Sequence, residues 1–577
     1  MTSPAQVEPE STQDVRGIRR PLRVMLLLTV WIIMGAGLAK AEVIIVGGSK
    51  SCNFEQAIIS HNKRASAFGS ECKAGDGNDV IKIKPTVTTI SFPSPPPVVE
   101  NGSLEIEADN ESGCSEVEGV AYLTLSPGTH VTLSGVGLVA DGSRPLSVID
   151  NNGGTLEIRS KERCAALFSN VGGRGQKPNT GGILFNRNGA KSRISGARFE
   201  NSAAASQGGA IFIDSGAVTV DEVLSFETSS FTNNSANEGG AIYVNRGAAL
   251  LISSNNFSFA NNQALGGNGG AVYNNGGTVV IQPAAASLSA PLEGAMFSSN
   301  TARLGFGGAI YSDGGVLRAD GIRIKANAAG GNGGGIAVAN MAAKTPASIT
   351  RSIFDGNFSE SNGGAIYSTG RSSLYVSQTT FEHDRSVAQR GAIYVDSFGS
   401  VNVDNSTFVG TGGSGSDPEG IAVTAGGTAE IAFTTFYSAS LGTGLETLDL
   451  RDSILQMVTC QAGSVFDATG NIKFQTSGCP GSIPTANPDL DPFLLQDNGG
   501  ATPTIALLPE SPAINQIKPA NCVNSFGARN QIDQRGYSRP APPSGNCDIG
   551  AFEFGASPAP GAHRPHNTRS TSNGIAR

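Results

Sequence analysis

The sequence predicts an all-β protein, a right-handed parallel β-helix whose ends are closed by disulfide-stabilised caps. A motif of the type Gly-Gly-Ala-Ile-Tyr, or a near copy, returns nine times between Gly181 and Ala422, at separations of 26 to 38 residues. The units are rich in Gly, Asn, Ser and Thr and hold apolar residues in short alternating stretches, which is typical of strands bounded by turns. A unit of about 28 residues buries its apolar face only by stacking on its neighbours.

The fourth position of each motif is aliphatic and is predicted to form a ladder inside the solenoid. Each strand of a parallel β-helix pairs with its equivalent one coil along the axis, so these side chains stack in one line. The preceding glycines allow positive φ and close approach of backbone between coils. We expect three short strands and three turns per unit, and a β-helix over residues of about 75–455. The ladder residues are Leu184, Ile211, Ile242, Val272, Ile310, Ile336, Ile366, Ile393 and Ile421.

A second motif, Phe-x-x-Asn, comes shortly before most of the glycine pairs. The aromatic residue is predicted to fill the core at a strand end. Asn and Asp tolerate the left-handed conformation, and stacked amides can hydrogen-bond along the axis. We interpret the polar positions as a structural turn ladder rather than as a metal or sugar site. The copies run from Phe231 to Asn234, Phe259 to Asn262, Phe297 to Asn300, Ile324 to Asn327, Phe354 to Asn357 and Phe381 to Asp384.

Together these two motifs resemble the repeats of polymorphic outer-membrane proteins, whose passenger regions resemble right-handed parallel β-helices. The N-terminal segment Cys52–Ile58 is similar to the Cys-Ser-Leu-Arg-Glu-Ala-Ile opening of many secreted β-helix proteins, with Phe54 and Glu55 where that group has Leu and Arg. The far end resembles the choice-of-anchor Q module of surface proteins. Its matching segments are Asp497–Thr504, Leu507–Pro509, Ser511–Ile514, Asp533–Gly536 and Cys547–Glu553. The resemblance implies an architecture; that family has no agreed activity.

The N-terminal residues predict export. Basic residues precede an apolar run from Val24 to Leu38, which is fifteen residues long and short for a membrane span, and Ala39-Lys40-Ala41 offers a cleavage site. The predicted regions are 1–41, signal peptide; 42–180, N-terminal cap and first coils; 181–455, repeat β-helix; 456–554, choice-of-anchor Q-like module; and 555–577, disordered tail. The mature chain is expected to be extracellular or at the cell surface, in an outer-membrane or periplasmic setting, without a transmembrane span. Both the general secretory and the twin-arginine routes stay open.

The chain has eight cysteines, an even count that predicts disulfides in an exported protein. All lie outside residues 181–422, in the flanks, where a solenoid needs caps over its exposed strand edges. Sequence proximity suggests one of the 105 possible connectivities for eight cysteines. The suggested pairs are Cys52–Cys72, Cys114–Cys164, Cys460–Cys479 and Cys522–Cys547. No cysteine or histidine spacing predicts a zinc site, and we expect neither a metal nor a cofactor.

Charge and acid placement limit the function classes. The formal net charge is −8 and charged residues make up 15% of the chain, which argues against nucleic acid as a partner. Glycoside hydrolysis needs two carboxylates about 5–9.5 Å apart. The acids of the repeats, such as Asp214 and Asp355, are scattered beside turn residues, and His61, His130 and His383 stand in unrelated contexts. We therefore predict no catalytic residues; the alternative is a polysaccharide-degrading lyase or hydrolase.

The residue after each ladder aliphatic points to the opposite face and is aromatic in seven of the nine copies. Because strands in adjacent coils lie about 4.8 Å apart, these rings are predicted to form a stripe on the outer wall, suited to stacking on sugars or to protein contact. The predicted binding residues are Tyr243, Tyr273, Tyr311, Tyr367 and Tyr394. In the alternative, the rings stack on one another or lie under a loop such as 283–294. The predicted function is a binding or adhesion scaffold without catalysis, with a glycan or a surface protein as partner; a passive spacer is the third class. The sequence leaves the oligomeric state undetermined.

Overall fold

The structure is a computed structural model. It describes residues 42–46, 52–67, 71–84, 97–108, 115–118, 122–140, 146–161, 165–170, 178–221, 228–284, 294–340, 346–387, 391–410, 419–424, 426–443, 447–461 and 465–558. The predicted signal peptide, most of the predicted tail (559–577) and most of the loop 283–294 lie outside these ranges, as do Cys114 and Cys164.

The described chain winds into a parallel β-helix, which confirms the predicted fold class. Successive coils place strands in three sheets, here named C, A and B in the order in which the chain passes through them, and each strand pairs in parallel with its equivalent in the next coil. In the described part of the chain, six coils add a two-residue strand between B and C, which builds a fourth sheet, D. The prediction of three strands per unit missed sheet D, because two residues are too few to leave a periodic pattern.

Sheet A consists of Val43–Val46, Asn78–Ile83, Ser103–Ala108, His130–Ser134, Thr155–Arg159, Lys191–Ser195, Ala217–Asp221, Ala249–Ser253, Thr278–Gln282, Val316–Asp320, Ala347–Thr350, Ser373–Ser377, Ser400–Asp404, Thr428–Ala432, Thr447–Arg451 and Val465–Thr469. Sheet B consists of Ser115–Glu118, Val136–Ala140, Ala166–Asn170, Ala197–Glu200, Ser229–Thr232, Asn256–Ala260, Gly294–Ser298, Arg323–Lys325, Ile353–Asp355, Thr380–Glu382, Thr407–Val409, Thr435–Tyr437, Ile454–Gln456 and Ile472–Phe474. Sheet C consists of Val98–Val99, Leu123–Leu125, Ile149–Asn152, Leu184–Arg187, Ile211–Ile213, Ile242–Val244, Val272–Asn275, Ile310–Asp313, Ile336–Ala339, Ile366–Thr369, Ile393–Val395, Glu419–Val423, Ala439–Thr443 and Thr459–Cys460. Sheet D consists of Ser235–Ala236, Gln263–Ala264, Thr301–Ala302, Ala328–Ala329, Phe358–Ser359 and Arg385–Ser386.

The inward side chains form one continuous core. All nine ladder aliphatics, from Leu184 to Ile421, are fully buried and pair in register from coil to coil, as predicted. Phenylalanines of sheet B stack beside them, with ring centroids of neighbouring coils 4.5–5.3 Å apart. Aliphatic and aromatic ladders therefore hold the solenoid together through contacts between adjacent coils only.

An amphipathic helix, Phe54–Lys63, closes the N-terminal end. Asn53 caps it: its side chain accepts a hydrogen bond from Gln56 N, and the Gln56 side chain accepts one from Asn53 N. The apolar face packs into the core. In the last turn of the helix, His61 Nδ1 lies 2.7 Å from Asp79 Oδ2, and both side chains are fully buried. The segment that resembles the family opening is therefore the cap of the solenoid. Across the described ranges, no helix is both long and apolar enough to span a membrane.

Three of the four predicted disulfides are present, Cys52–Cys72, Cys460–Cys479 and Cys522–Cys547. The first joins the segment before the cap helix to the chain that follows it. The second closes the last coil, where solenoid strands continue to Phe474. The third lies in the C-terminal segment 487–558, which turns back along the outside of the solenoid. Disulfides at the ends constrain regions that have a neighbouring coil on one side only.

The paired glycines have separate roles, which Gly307 and Gly308 show. Gly307 has a φ of +68°, in the left-handed region that disfavours residues with a side chain. Gly308 has no such φ, but a β-carbon there would overlap the carbonyl oxygen of Gly334 and lie 2.7 Å from Ala328 backbone atoms. One glycine turns the chain and the other lets adjacent coils approach.

We expect Gly308→Ala to destabilise the solenoid by about 2–4 kcal/mol, because the added methyl group meets backbone that cannot rotate away. The matched control is Gly481→Ala, where a β-carbon has nothing within 4 Å and φ is not left-handed. Chemical unfolding of both variants measures the difference. Equal unfolding midpoints for the two variants would show that adjacent coils can move apart at Gly308 without loss of stability.

Candidate functional site

The predicted aromatic stripe exists as a continuous line on the outer face of sheet C. Phe212, Tyr243, Tyr273 and Tyr311 occupy one register in four successive strands. Their neighbouring ring centroids are 4.9–5.4 Å apart. At the next position of this register stands Ala337, which interrupts the line of rings, and Tyr367 continues it one coil farther along the axis.

The rings are packed within the chain rather than presented to solvent. Tyr243 is 3% exposed, and Tyr273, Tyr311, Tyr367 and Tyr394 are 7–8% exposed. Burial raises the pKa of Tyr243 and of Tyr367 to about 12, and it also raises the pKa of Tyr273 and Tyr311. The line behaves as a second apolar core on the outer side of sheet C.

Two further contacts complete this outer core. Phe306 comes from the segment that leads into strand Ile310–Asp313, and the centroid of its ring lies 6.3 Å from that of Tyr311 and 5.9 Å from that of Tyr367, so it bridges the interruption at Ala337. The Tyr367 hydroxyl donates to Asp396 Oδ2 at 2.9 Å. The rings pack on one another and under the segment that contains Phe306. Little of the exposed ridge that the sequence suggested is therefore accessible to solvent. This geometry favours the alternative of intrachain stacking; a binding role of the tyrosines stays a prediction.

The Phe-x-x-Asn motifs build the amide ladder that we predicted. Asn234 Nδ2 donates to Asn262 Oδ1 at 3.0 Å and to the carbonyl oxygen of Phe199 at 2.9 Å. Asn262, Asn300 and Asn327 repeat this pattern one coil after another, and every amide of the ladder is buried. The polar groups at this turn satisfy one another, as buried amides require.

The ladder ends at an acid. Asp384 Oδ1 accepts hydrogen bonds from the side chain and the backbone N–H of Asn357, at 2.7 and 2.8 Å. Asp384 Oδ2 is buried and has no hydrogen-bond partner among the residues that the structure describes. Burial raises the pKa of Asp384 well above its usual range, and the negative charges of Asp355 and Glu382 add to this effect. In the protonated form, the carboxyl has an O–H group in the position where each asparagine carries its side-chain N–H group.

An ion-pair network lies just outside this ladder end. Asp355, Glu382 and His383 place one ligand atom each within 4.8 Å of one another. Lys325 Nζ lies 2.8 Å and an Arg323 nitrogen 3.4 Å from Asp355 Oδ2. Burial raises the pKa of Asp355, but hydrogen bonds from these two cations outweigh it and leave the pKa below its usual value. Asp355 and His383 are 28 residues apart in the sequence; the coil register brings them together, with two cations already compensating the acids.

We expect Asp384→Asn to stabilise the protein at neutral pH by about 1–3 kcal/mol, because the amide extends the ladder and removes a buried acid. The folded-state pKa of Asp384 lies above its unfolded value. Its contribution to stability is therefore complete below the unfolded pKa and is lost as the pH rises through the folded one. The gain from the substitution should consequently be larger at pH 8 than at pH 5 in chemical unfolding. Asp497→Asn, at an exposed position, is the control; a gain that does not change with pH would contradict a protonated Asp384.

The C-terminal segment docks on the outer face of sheet B through the motifs that the sequence singled out. Gln534 Oε1 accepts from Thr407 Oγ1 at 2.6 Å, and Gln534 Nε2 donates to the hydroxyls of Thr380 and Thr502 at 2.8 and 3.0 Å. Thr380 and Thr407 are outward neighbours in successive strands. An apolar cluster that includes Phe433 joins the same two layers. This segment is thus a clamp on the last coils.

Buried charges also hold this clamp. Arg539 Nε lies 3.0 Å from Glu553 Oε2, in ionic contact but off the hydrogen-bond axis, and both side chains are fully buried. Asp404 accepts hydrogen bonds from Ser525 N and Oγ at 2.7 and 2.8 Å. Burial raises the pKa of Asp404 to about 6 and that of Glu553 to about 7. The clamp therefore depends on interactions between residues far apart in sequence.

Comparison with protein families identifies the repeat. Residues 228–245, 295–313 and 351–369 match the model described as the Chlamydia polymorphic membrane protein repeat. Each match runs from a sheet B strand through the ladder turn to a sheet C strand, and together the matches cover a small part of the chain. Comparisons with curated proteins and with solved structures give no significant match. The repeats point to an outer-membrane or cell-surface location.

Proposed function

We propose that this protein is an exported, adhesin-like scaffold at the cell surface, which binds a glycan or a surface protein without catalysis. The observation that carries the proposal is the match of the repeats to the polymorphic membrane protein model, on a chain folded as a β-helix. The matched repeat is described as that of a membrane protein. A long solenoid can present an extended surface to partners outside the cell.

The arrangement of the repeats supports binding through their variable positions. The motif residues serve the fold: the aliphatics and Phe residues fill the core, the Asn residues pair with one another, and the glycines close the coils. Outward positions differ from coil to coil, as Arg193, Thr219 and Leu251 show at one register of sheet A. A scaffold of this kind supplies a fixed framework on which outward residues determine recognition.

The two ends support membership of the secreted choice-of-anchor Q and Cys-Ser-Leu-Arg-Glu-Ala-Ile group. Cys52–Ile58 contains the N-cap and the first residues of the cap helix, and Asp533–Gly536 lies in the clamp on sheet B. Disulfides at both ends suit an oxidising compartment outside the cytoplasm. We propose accordingly that residues 1–41 direct export.

Surface display is testable on intact cells. We expect external protease to digest the protein on whole cells while a cytoplasmic marker stays intact, and we expect a chain that starts at Glu42 to remain in the cytoplasm. Recovery of the full-length protein from the cytoplasmic fraction alone would refute the proposal. Release of reducing ends or unsaturated products from pectins, alginates or host glycans would instead favour the enzyme.

The tyrosines have a separate test in the combined variant Tyr243→Ser, Tyr273→Ser and Tyr311→Ser. Since their rings are 92% or more buried, we expect this variant to lose stability together with any adhesion. Loss of adhesion with an unchanged melting temperature would instead identify the stripe as the binding site.

A further inference from the structure

The outer face of sheet C carries a groove that most coils fill with their own aromatic rings. One wall is the line of outward residues on the strands, and the other consists of the segments that lead into those strands. Phe212 is the first ring of this outer core that is fully covered, and Phe185 packs against it with centroids 5.5 Å apart. Along this part of the axis the groove is occupied by the chain.

The groove continues past Phe185 over two coils that have no ring at the Phe185 register. In register with Phe185 stands Asp150 in the preceding strand, and Thr124 stands one strand before that. These side chains are too short to fill the space that a tyrosine or phenylalanine takes in later coils. A cavity of about 300 Å³ results. Its lining comprises Tyr122, Leu123, Thr124, Leu146, Ser147, Asp150, Pro178, Asn179, Thr180 and Phe185.

The polar groups of this cavity suit a hydroxylated ligand. Both Asp150 oxygens accept hydrogen bonds from Arg187, at 2.8 Å each, which fixes the carboxylate and leaves its other lone pairs for further donors. The hydroxyls of Thr124 and Ser147 and the amide of Asn179 lie around it. Phe185 adds an apolar ring. The Arg187 guanidinium also lies over the Phe185 ring, 5.5 Å from its centroid, so a sugar would contact only the part of this ring that stays accessible while its hydroxyls donate to the Asp150 carboxylate.

We propose that this cavity binds one pyranose ring of a neutral glycan, which takes the place of the next ring in the stack. Of the described residues that line the cavity, Asp150 is the charged one. Arg187 uses two of its nitrogens, Nε and Nη2, to bind the Asp150 carboxylate. Among the described residues, the cation beside this carboxylate is Arg187, whose charge Asp150 already balances, so a neutral hexose fits better than an anionic sugar. The volume lies at the lower end of the range of small-molecule sites. This inference rests on the proposed binding function and names its ligand class and its site.

The test uses ligand-observed NMR on the folded mature chain with methyl glucoside, methyl galactoside and methyl mannoside as probes. We expect at least one of them to bind, and Phe185→Ala and Asp150→Asn to weaken that binding at least tenfold. The decisive variant is Thr124→Tyr, which supplies the missing ring from the chain itself and should abolish binding without loss of thermal stability. Thr219→Tyr, at an outward position of sheet A, is the matched control and should bind as the unchanged protein does.

Two outcomes would overturn the site. The first is the absence of binding for all three glycosides, or binding of the aromatic probe p-cresol in their place. The second is binding that persists in Thr124→Tyr. Adhesion and surface location of Thr124→Tyr are measured on cells in parallel. Retained adhesion in a variant that no longer binds glycosides would refute the cavity as the adhesive site and leave the surface function standing, whereas cytoplasmic retention of the unchanged protein would refute the function itself.

Discussion

Replacing Ile310 by Asp is expected to lower the free energy of unfolding by at least about 4 kcal/mol. Ile310 is fully buried and stacks between Val272 and Ile336 in the central ladder. The substitution removes apolar packing on both sides and places a carboxylate in the buried apolar core, and each effect alone costs several kcal/mol. Because each coil is stabilised by its two neighbours, the loss should spread to the adjacent coils.

Leu251→Asp is the matched control for this substitution. Leu251 is 36% exposed on an outward position of sheet A, so the same charge stays hydrated there. We expect chemical unfolding, followed by circular dichroism, to show a large shift for Ile310→Asp and a shift below about 1 kcal/mol for the control. A soluble Ile310→Asp protein with an unchanged spectrum and midpoint would contradict the buried ladder.

Replacing Arg539 by Met is expected to release the C-terminal clamp, at a cost of about 3–5 kcal/mol, which is typical when one partner of a buried ion pair is removed. Arg539 also donates to the carbonyl oxygen of Gly550 at 2.9 Å, and its guanidinium lies 4.5 Å from the centroid of the Phe433 ring. Without it, Glu553 is left buried with two backbone N–H donors, those of Ala541 and Asp548. Limited proteolysis should then cut the segment 487–558 while the repeats stay protected.

The loss should depend on pH. Burial already raises the pKa of Glu553 to about 7, and Arg539 acts in the opposite direction. Removing Arg539 raises this pKa further, so the variant keeps more of its stability below pH 6, where Glu553 is protonated, and loses it as the pH rises. Arg529→Met, at an exposed site of the same segment, should leave proteolysis unchanged. Equal protection of the two variants at pH 8 would show that the ion pair does not hold the clamp.

The periodic part of the protein follows from the sequence. The position of Ile310 in its motif is enough to predict that it points inward and stacks on Val272 and Ile336, because strand alternation and coil spacing are both local properties. The same holds for the amide ladder through Asn234 and Asn262. The end disulfides could be predicted from proximity, since Cys52 and Cys72 close a short loop around one helix.

The aromatic stripe shows where this reasoning stops. The sequence determined that Tyr243, Tyr273 and Tyr311 share one register on the face opposite the core. It did not determine that the rings are buried, because their cover includes Phe306, from a segment whose path no periodicity describes. A side chain that points outward from a strand is not exposed to solvent when another segment of the chain covers the sheet.

The sequence alone therefore determined the solenoid, its inner ladders and its caps, since these depend on patterns that repeat within about 28 residues. The tertiary structure decided the rest. Gln534 meets Thr380 and Thr407 across more than a hundred residues, and Asp355 meets His383 through coil register. The cavity beside Phe185 exists because two coils lack the ring that later coils supply. Contacts of this kind arise from packing between distant segments, and no local pattern in the chain encodes them.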